Sequence, residues 1–436
     1  MITALLAVLC AAQPAGRLTL DEALARAASH PRLGEVRAAA DQASARQAEA
    51  WAGFLPSGTA LASWQPATTT PGSSTSTAPG PGTLLPSVGS PSLAGGITPF
   101  YSASIVVTQP IWDFGRTLRQ VRSARLAEEA AGFDVAAVGG DVELQVRSAY
   151  YGALAAEELV AVADDAVQQM EKHVAQAQAL LEVGRRTRFD VTRAQVDLAS
   201  ARIARIQAES GLAAARAGLA AAIGEDVGQA ALVRPADLPD EPVATEAAVT
   251  AALAQRAELS ALRQRVSSQR EAVAAAASAF YPVVSATGQL QWKGTDFPIS
   301  RSWQVGVTVS LPFLSGGADA ARVREQAAAL AQARSALDSA TLQVKAEAEQ
   351  ATLAVGDARA RRQASETLLA QARENLEMAE GRYASGVGNI IELADAQAAL
   401  TAARGQHVRA SYDLATARAR LAKATGAPAA LAARGG

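Results

Sequence analysis

The chain has 436 residues, a formal charge of -2 and only 4% aromatic residues. Roughly a quarter of it is Ala and Arg far outnumbers Lys, a composition of long helices rather than of ordinary globular domains. The near-neutral charge leaves no basic footprint for nucleic acid and no polybasic patch for a membrane surface.

Met1 to Leu9 form a short apolar run ending in Cys10-Ala11-Ala12. It reads as a secretory signal peptide cut near Ala12, although no basic residue opens it. Leu9 is a poor residue to precede a lipidated Cys10. Removing the segment leaves a chain without cysteine, which excludes disulfides, thiol catalysis and cysteine-ligated metal. No later window holds the 18 or more apolar residues of a transmembrane helix, so a membrane crossing here must use strands.

After a helical segment from Leu20 to Gly53 comes a Pro/Gly/Ser/Thr tract, Pro66 to Pro99, of the composition of an extended or disordered loop. Tyr101, Ala103, Ile105 and Val107 then alternate with Ser102, Ser104 and Thr108, as a strand does. Gly115 to Gly184 is helix-compatible and free of proline, long enough for roughly 100 Å. A return arm begins near Asp190. In it Val191, Leu198, Leu212 and Leu219 recur every seven residues, with Ala194, Ala201, Ala208, Ala215 and Ala222 three places later. Such a seam imposes a left-handed supercoil.

The same order then recurs. Thr245 to Ala279 is helical. Val284, Ala286, Gly288, Leu290 and Trp292 alternate with Ser285, Thr287, Gln289 and Gln291; Trp303, Val305, Val307, Val309 and Leu311 alternate with Gln304, Gly306, Thr308 and Ser310. Gly317 to Gly386 forms the second long helix. Leu393, Leu400, Leu414 and Leu421 carry the second seam, with Ala396, Ala403, Ala410, Ala417 and Ala424. The polar breaks in the two seams are Arg205 and His407, read as register-setting residues.

Pro110 matches Pro312, Gly184 matches Gly386 and Gly224 matches Gly426, all at an offset of about 202 residues. Upstream, Leu33 matches Leu259 and Pro56 matches Pro282 at an offset of about 226, so about 24 extra residues lie inside the first hairpin. The Pro66–Pro99 tract is therefore a hairpin loop and not an interdomain linker. The expected organisation is a signal peptide (1–12), a first repeat (13–224) with a loop at 66–99, a connector (225–245), a second repeat (246–426) and a tail (427–436).

Each strand is about ten residues long, the length that spans a bilayer when tilted. A half-buried soluble hairpin also alternates, but here the polar face is small and uncharged and no partner sheet exists to bury the apolar one. Trp292 and Trp303 near the turn, and Phe280, Tyr281 and Phe313 at the other end, stand where interfacial girdles would. Two hairpins give four strands, too few to close a barrel whose smallest members have eight, so closure demands oligomers.

No P-loop is present, and Gly386-Val387-Gly388 lacks the third glycine and strand context of a dinucleotide fingerprint. His30, His173 and His407 lack metal-ligand spacing. No cofactor and no catalytic residue is expected.

From Leu18 to Gly426 the chain resembles the TolC-like outer-membrane efflux proteins, on its duplicated strand-to-helix corners at Pro110 and Pro312 and its helix tips around Gly184 and Gly386. The resemblance implies a mainly α fold with a small β part. It implies a homotrimer with a twelve-stranded barrel in outer-membrane lipid, continued by a periplasmic helical tunnel. The tips close the tunnel entrance, where a periplasmic adaptor couples an inner-membrane pump. By position, the entrance residues are Asp190, Tyr383, Glu392 and Asp395, and the adaptor-contacting tips are Gly184, Arg185, Arg186, Thr187, Gly386, Val387 and Gly388. Well-known members carry an arginine where this chain has Gly388; Arg185, Arg186 and Arg188 are the candidate substitutes. Drug efflux, metal efflux and protein secretion fit the sequence equally. The alternative, a soluble periplasmic coiled-coil scaffold, leaves the alternating strands unexplained.

Overall fold

A computed structural model of the chain describes residues 17–68, 97–184, 187–235, 244–295 and 297–426. The expected signal peptide with Cys10, most of the 66–99 tract, Arg185, Arg186, part of the connector and the tail lie outside the described residues.

The first repeat runs β1 (Arg17–Leu18), α1 (Leu20–Arg26), α2 (Pro31–Ala52), β2 (Ser57–Thr68), β3 (Ile97–Trp112), α3 (Arg116–Glu182) and α4 (Arg188–Ile223). After β4 (Ala231–Leu232) the second runs α5 (Thr245–Gln255), α6 (Ala257–Ala277), β5 (Val283–Gly294), β6 (Ser300–Ser310), α7 (Ala318–Ala384) and α8 (Ile390–Ala424). The duplication extends to backbone geometry. Helices α3 and α7 each have 67 residues. Left-handed glycines recur in matching pairs: Gly115 with Gly317, Gly184 with Gly386, and Gly224 with Gly426.

Three boundaries differ from the sequence expectation. The Leu20–Gly53 segment is interrupted at His30, where Pro31 opens a new helix because a first-turn residue needs no N–H and the His30 Nδ1 accepts the Arg32 N–H at 3.2 Å. The Thr245–Ala279 segment breaks at Arg256 without any proline. Arg256 is 4% exposed and pairs with Glu258 at 2.6 Å and with Glu347, so a buried guanidinium fixes that bend. Finally, the first hairpin continues into the tract, with Pro66 opposite Pro99 and Thr68 opposite Ile97. Proline in that ladder is tolerated where its missing N–H faces away from the partner strand.

The described chain forms two compact units, and each draws on both repeats. The first comprises the described residues within 17–43, 127–266 and 333–426. Its largest core cluster gathers Leu18, Leu24, Val142, Val146, Tyr150, Leu219 and Ile223. Here β1 and β4 pair in parallel, so the connector contributes a strand the sequence did not reveal. The Tyr150 hydroxyl ties that pair to α3: it lies 2.8 Å from the Leu18 carbonyl and 2.6 Å from the Val233 carbonyl, and accepts the Val233 N–H at 3.1 Å. The α8 seam is buried at Leu393, Ala396, Leu400, Ala403, Ala410, Leu414, Ala417, Leu421 and Ala424. At its polar break, the His407 Nδ1 lies 3.2 Å from Ser365 Oγ on α7. The Ser365 hydroxyl already donates to the Arg362 carbonyl at 2.6 Å, so the imidazole is the donor of the pair. At the matching break in α4, Arg205 reaches Asp164 on α3 at 2.7 Å.

The second unit comprises the described residues within 44–126 and 267–332. Its centre is an antiparallel sheet in the order β2-β3-β5-β6. The register sets one apolar row beside another: Ala60, Ile105, Leu290 and Trp303 share a line across the sheet, as do Gly58, Val107, Gly288 and Val305. The opposite face is mostly polar, with Ser104, Gln291 and Ser302 in one line and Ser63 bonded to Ser102 at 2.8 Å, although Leu61 and Val106 also lie on it. At the strand-to-helix corner, Asp113 accepts the N–H groups of Gly115 at 3.1 Å and Thr117 at 2.7 Å, capping α3. Phe114 stacks on Tyr281 at 5.2 Å, joining the two hairpins at that end.

Candidate entrance at the helix tips

The two tips, α3–α4 and α7–α8, occupy matching positions in the repeats but are built differently. In the first, Gly184 has φ 71°, which ends α3 in a left-handed turn. Thr187 then caps α4: the Asp190 carboxylate accepts the Thr187 N–H at 3.0 Å and its hydroxyl at 3.2 Å. Asp190 is 8% exposed and its carboxylate is committed to this capping box. Val183 and Phe189 are exposed beside it.

The second tip is tighter. The N–H groups of Val387 and Gly388 both point back to the Arg382 carbonyl, at 3.1 and 2.8 Å, and Gly386 bonds Tyr383 at 3.2 Å. Asn389 then caps α8 through the Ile391 N–H. A Cβ at position 388 would lie 2.8 Å from the Tyr383 nitrogen and 2.9 Å from the Arg382 carbonyl carbon. No side chain fits there. The absence of an arginine at 388 is thus a requirement of this turn.

Of the four expected entrance residues, the fold exposes two. Tyr383 is 3% exposed and packs with Ala379, Ile390, Leu393 and Ala396, against Leu180 of α3. Glu392 and Asp395 are both exposed on α8. Glu392 lies 3.4 Å from the guanidinium of Arg382, the last-turn arginine of α7. Asp395 has no ion-pair partner among the described residues. It lines a groove of about 1140 Å³ between α3, α4 and α8, with Met170, Arg193, Asp197, Thr401 and Arg409 among its walls. Arg188 makes no ion pair among the described residues.

Sequence reasoning missed Arg382, whose only signal is its distance from Glu392: two helices joined by a short turn bring residues equidistant from it together. It also missed His173, packed beside Ala194, Asp197, Ile390 and Leu393 where α3, α4 and α8 meet. Burial there lowers the imidazole pKa, aided by Lys172 and opposed by Glu380. Among the described residues, no cluster of His, Cys, Asp or Glu is placed to hold a metal ion, and no helix is long and apolar enough to cross a membrane.

A family model described as outer membrane efflux protein matches residues 20–225 and 248–427. The chain belongs to that family. It is similar to CyaE of Bordetella pertussis, 28% identical over 338 residues that cover 74% of this chain and 70% of CyaE. It is similar to the outer membrane efflux protein BepC of Brucella suis, at 26% identity over 65% of this chain and 62% of BepC. In fold it matches the outer-membrane channel OprN with a TM-score of 0.79, at 20% identity over 93% of this chain and 89% of OprN. The Campylobacter jejuni CmeC channel gives 0.80, at 17% identity over 93% and 85%. The chain is thus an outer-membrane efflux protein with the fold of the outer-membrane channels. Its family and its structural neighbours are channel proteins, not known enzymes.

Proposed function

We propose that three copies of the chain form one exit duct, each giving four strands to a twelve-stranded barrel and its long helices to a periplasmic tunnel. The observation that carries this reading is the sheet. Val305 is 72% exposed, and Trp303, Val307 and Val309 on the same face are similarly bare. Removing each such side chain from water is worth about 1.5–3 kcal/mol, a gain that lipid supplies. The opposite face is mostly Ser, Thr and Gln, with Lys293 near the turn and Leu61 and Val106 as its apolar exceptions, a composition suited to a wet lumen. Strands β2 and β6 each have one sheet neighbour among the described residues, and edges of this length are closed by pairing with another copy.

In this reading the tips form the entrance. Asp395 and Glu392 face the passage, Tyr383 and Asp190 hold the two tips in shape, and a periplasmic adaptor docks on Gly184, Arg185, Arg186, Thr187, Gly386, Val387 and Gly388, coupling an inner-membrane pump. Val387, 78% exposed, supports such a contact. The duct conducts passively and needs no cofactor. The test is the mass and conductance of the purified protein: a detergent-solubilised trimer that forms pores in planar bilayers is expected. A monodisperse monomer in detergent-free buffer would favour the soluble scaffold instead.

A further inference from the structure

Resting on the reading that the second tip borders the passage, we infer that Arg382 is a selectivity residue of the entrance. It neutralises Glu392 within one tip and leaves the cation preference to Asp395. Two carboxylates three residues apart at the start of a helix would otherwise act as two acidic rings in an assembled channel.

The turn itself creates the pairing. Both N–H groups of Val387 and Gly388 fold onto the Arg382 carbonyl, so the chain doubles back directly over that residue. The closeness that excludes a side chain at Gly388 is the closeness that returns the first turn of α8 to the last turn of α7. Arg382 is then 3.4 Å from Glu392. One positive and one negative charge at that separation present almost no net field a Debye length away, about 8 Å in physiological salt. Asp395 lies one turn further along α8 and has no such partner among the described residues. The Arg382–Glu392 contact lies within a single hairpin.

The experiment is reversal potential across a planar bilayer under a salt gradient, with the full-length assembled channel. Asp395→Asn should lower cation preference, and Glu392→Gln should lower it by unmasking Arg382. Arg382→Gln should raise it. The double variant Arg382→Gln with Glu392→Gln should return to the wild-type value, as should the exchange Arg382→Glu with Glu392→Arg, which keeps the pair and guards against a folding defect in the first double. A double variant that shifts as far as Asp395→Asn overturns the inference while leaving the entrance reading in place. No shift in any variant, Asp395→Asn included, overturns the lumen position of these residues and the inference with it.

Discussion

Gly388 and Gly184 separate two reasons for glycine at a tip. At Gly184 the backbone is left-handed but a Cβ would meet nothing within 4 Å. Alanine there bears only the left-handed strain, about 1–2 kcal/mol. At Gly388 the added Cβ would collide with two backbone atoms under 3.0 Å away, and backbone cannot swing aside as a side chain can. Gly388→Ala should therefore lower heat resistance of the assembled protein more than Gly184→Ala; equal losses would mean the second tip rearranges freely. Tyr150 is a different kind of residue, because its value lies in one oxygen. Tyr150→Phe removes that oxygen from the β1–β4 junction, where the Val233 N–H keeps its bond to the Leu18 carbonyl, a loss of about 1 kcal/mol in unfolding measurements. Nothing in the sequence marked Tyr150, since its partners are backbone atoms far away in the chain. The tip glycines were legible because turns announce themselves locally. The Arg382–Glu392 pair was not, because a short turn can join two helices with several registers and only the folded tip selects one.

At the scale of elements, what repeats was readable and what bends was less so. The seven-residue seam predicted most of the covered face of α8, since a coiled coil fixes burial by period. It missed Val408 and Tyr412, and the α4 seam is buried only towards its ends, at Val191, Ala194, Leu219 and Ala222. The break at Arg256 escaped because its cause is tertiary: a buried cation held by Glu258 and Glu347. The His173 junction of α3, α4 and α8 gives an element-scale prediction. A base whose folded pKa lies below its unfolded value of about 6.5 disfavours the proton in the native state. The native state is then unpenalised above pH 6.5 and loses stability as pH falls below it. Thermal unfolding followed from pH 7.5 to 5.5 should show a declining midpoint, and His173→Gln should flatten the decline. An unchanged slope in the variant would place the acid sensitivity elsewhere.

For the whole molecule the decisive question is which face of the sheet meets lipid, and neighbouring residues on β6 can answer it. Gln304 and Val305 lie at nearly the same height on one strand and point to opposite faces, with Gln304 opposite Gln289 and Val305 opposite Gly288. If the Val305 face is lipid-facing near the middle of the membrane, Val305→Arg places a charge in hydrocarbon at a cost of about 2–4 kcal/mol per copy. Three copies multiply that cost in one assembly. Gln304→Arg places the same charge at the same depth, but in a wet lumen, where it keeps its hydration. Trimer recovery from the outer membrane should fall sharply for Val305→Arg and hold for Gln304→Arg, while the latter shifts ion selectivity toward anions. The reverse pattern would turn the sheet inside out: the valines would then line a dry interior, and the Ser, Thr and Gln face would lie outward. Equal tolerance of both changes would mean that neither face is in lipid, and the exposed apolar rows would need a protein partner to cover them.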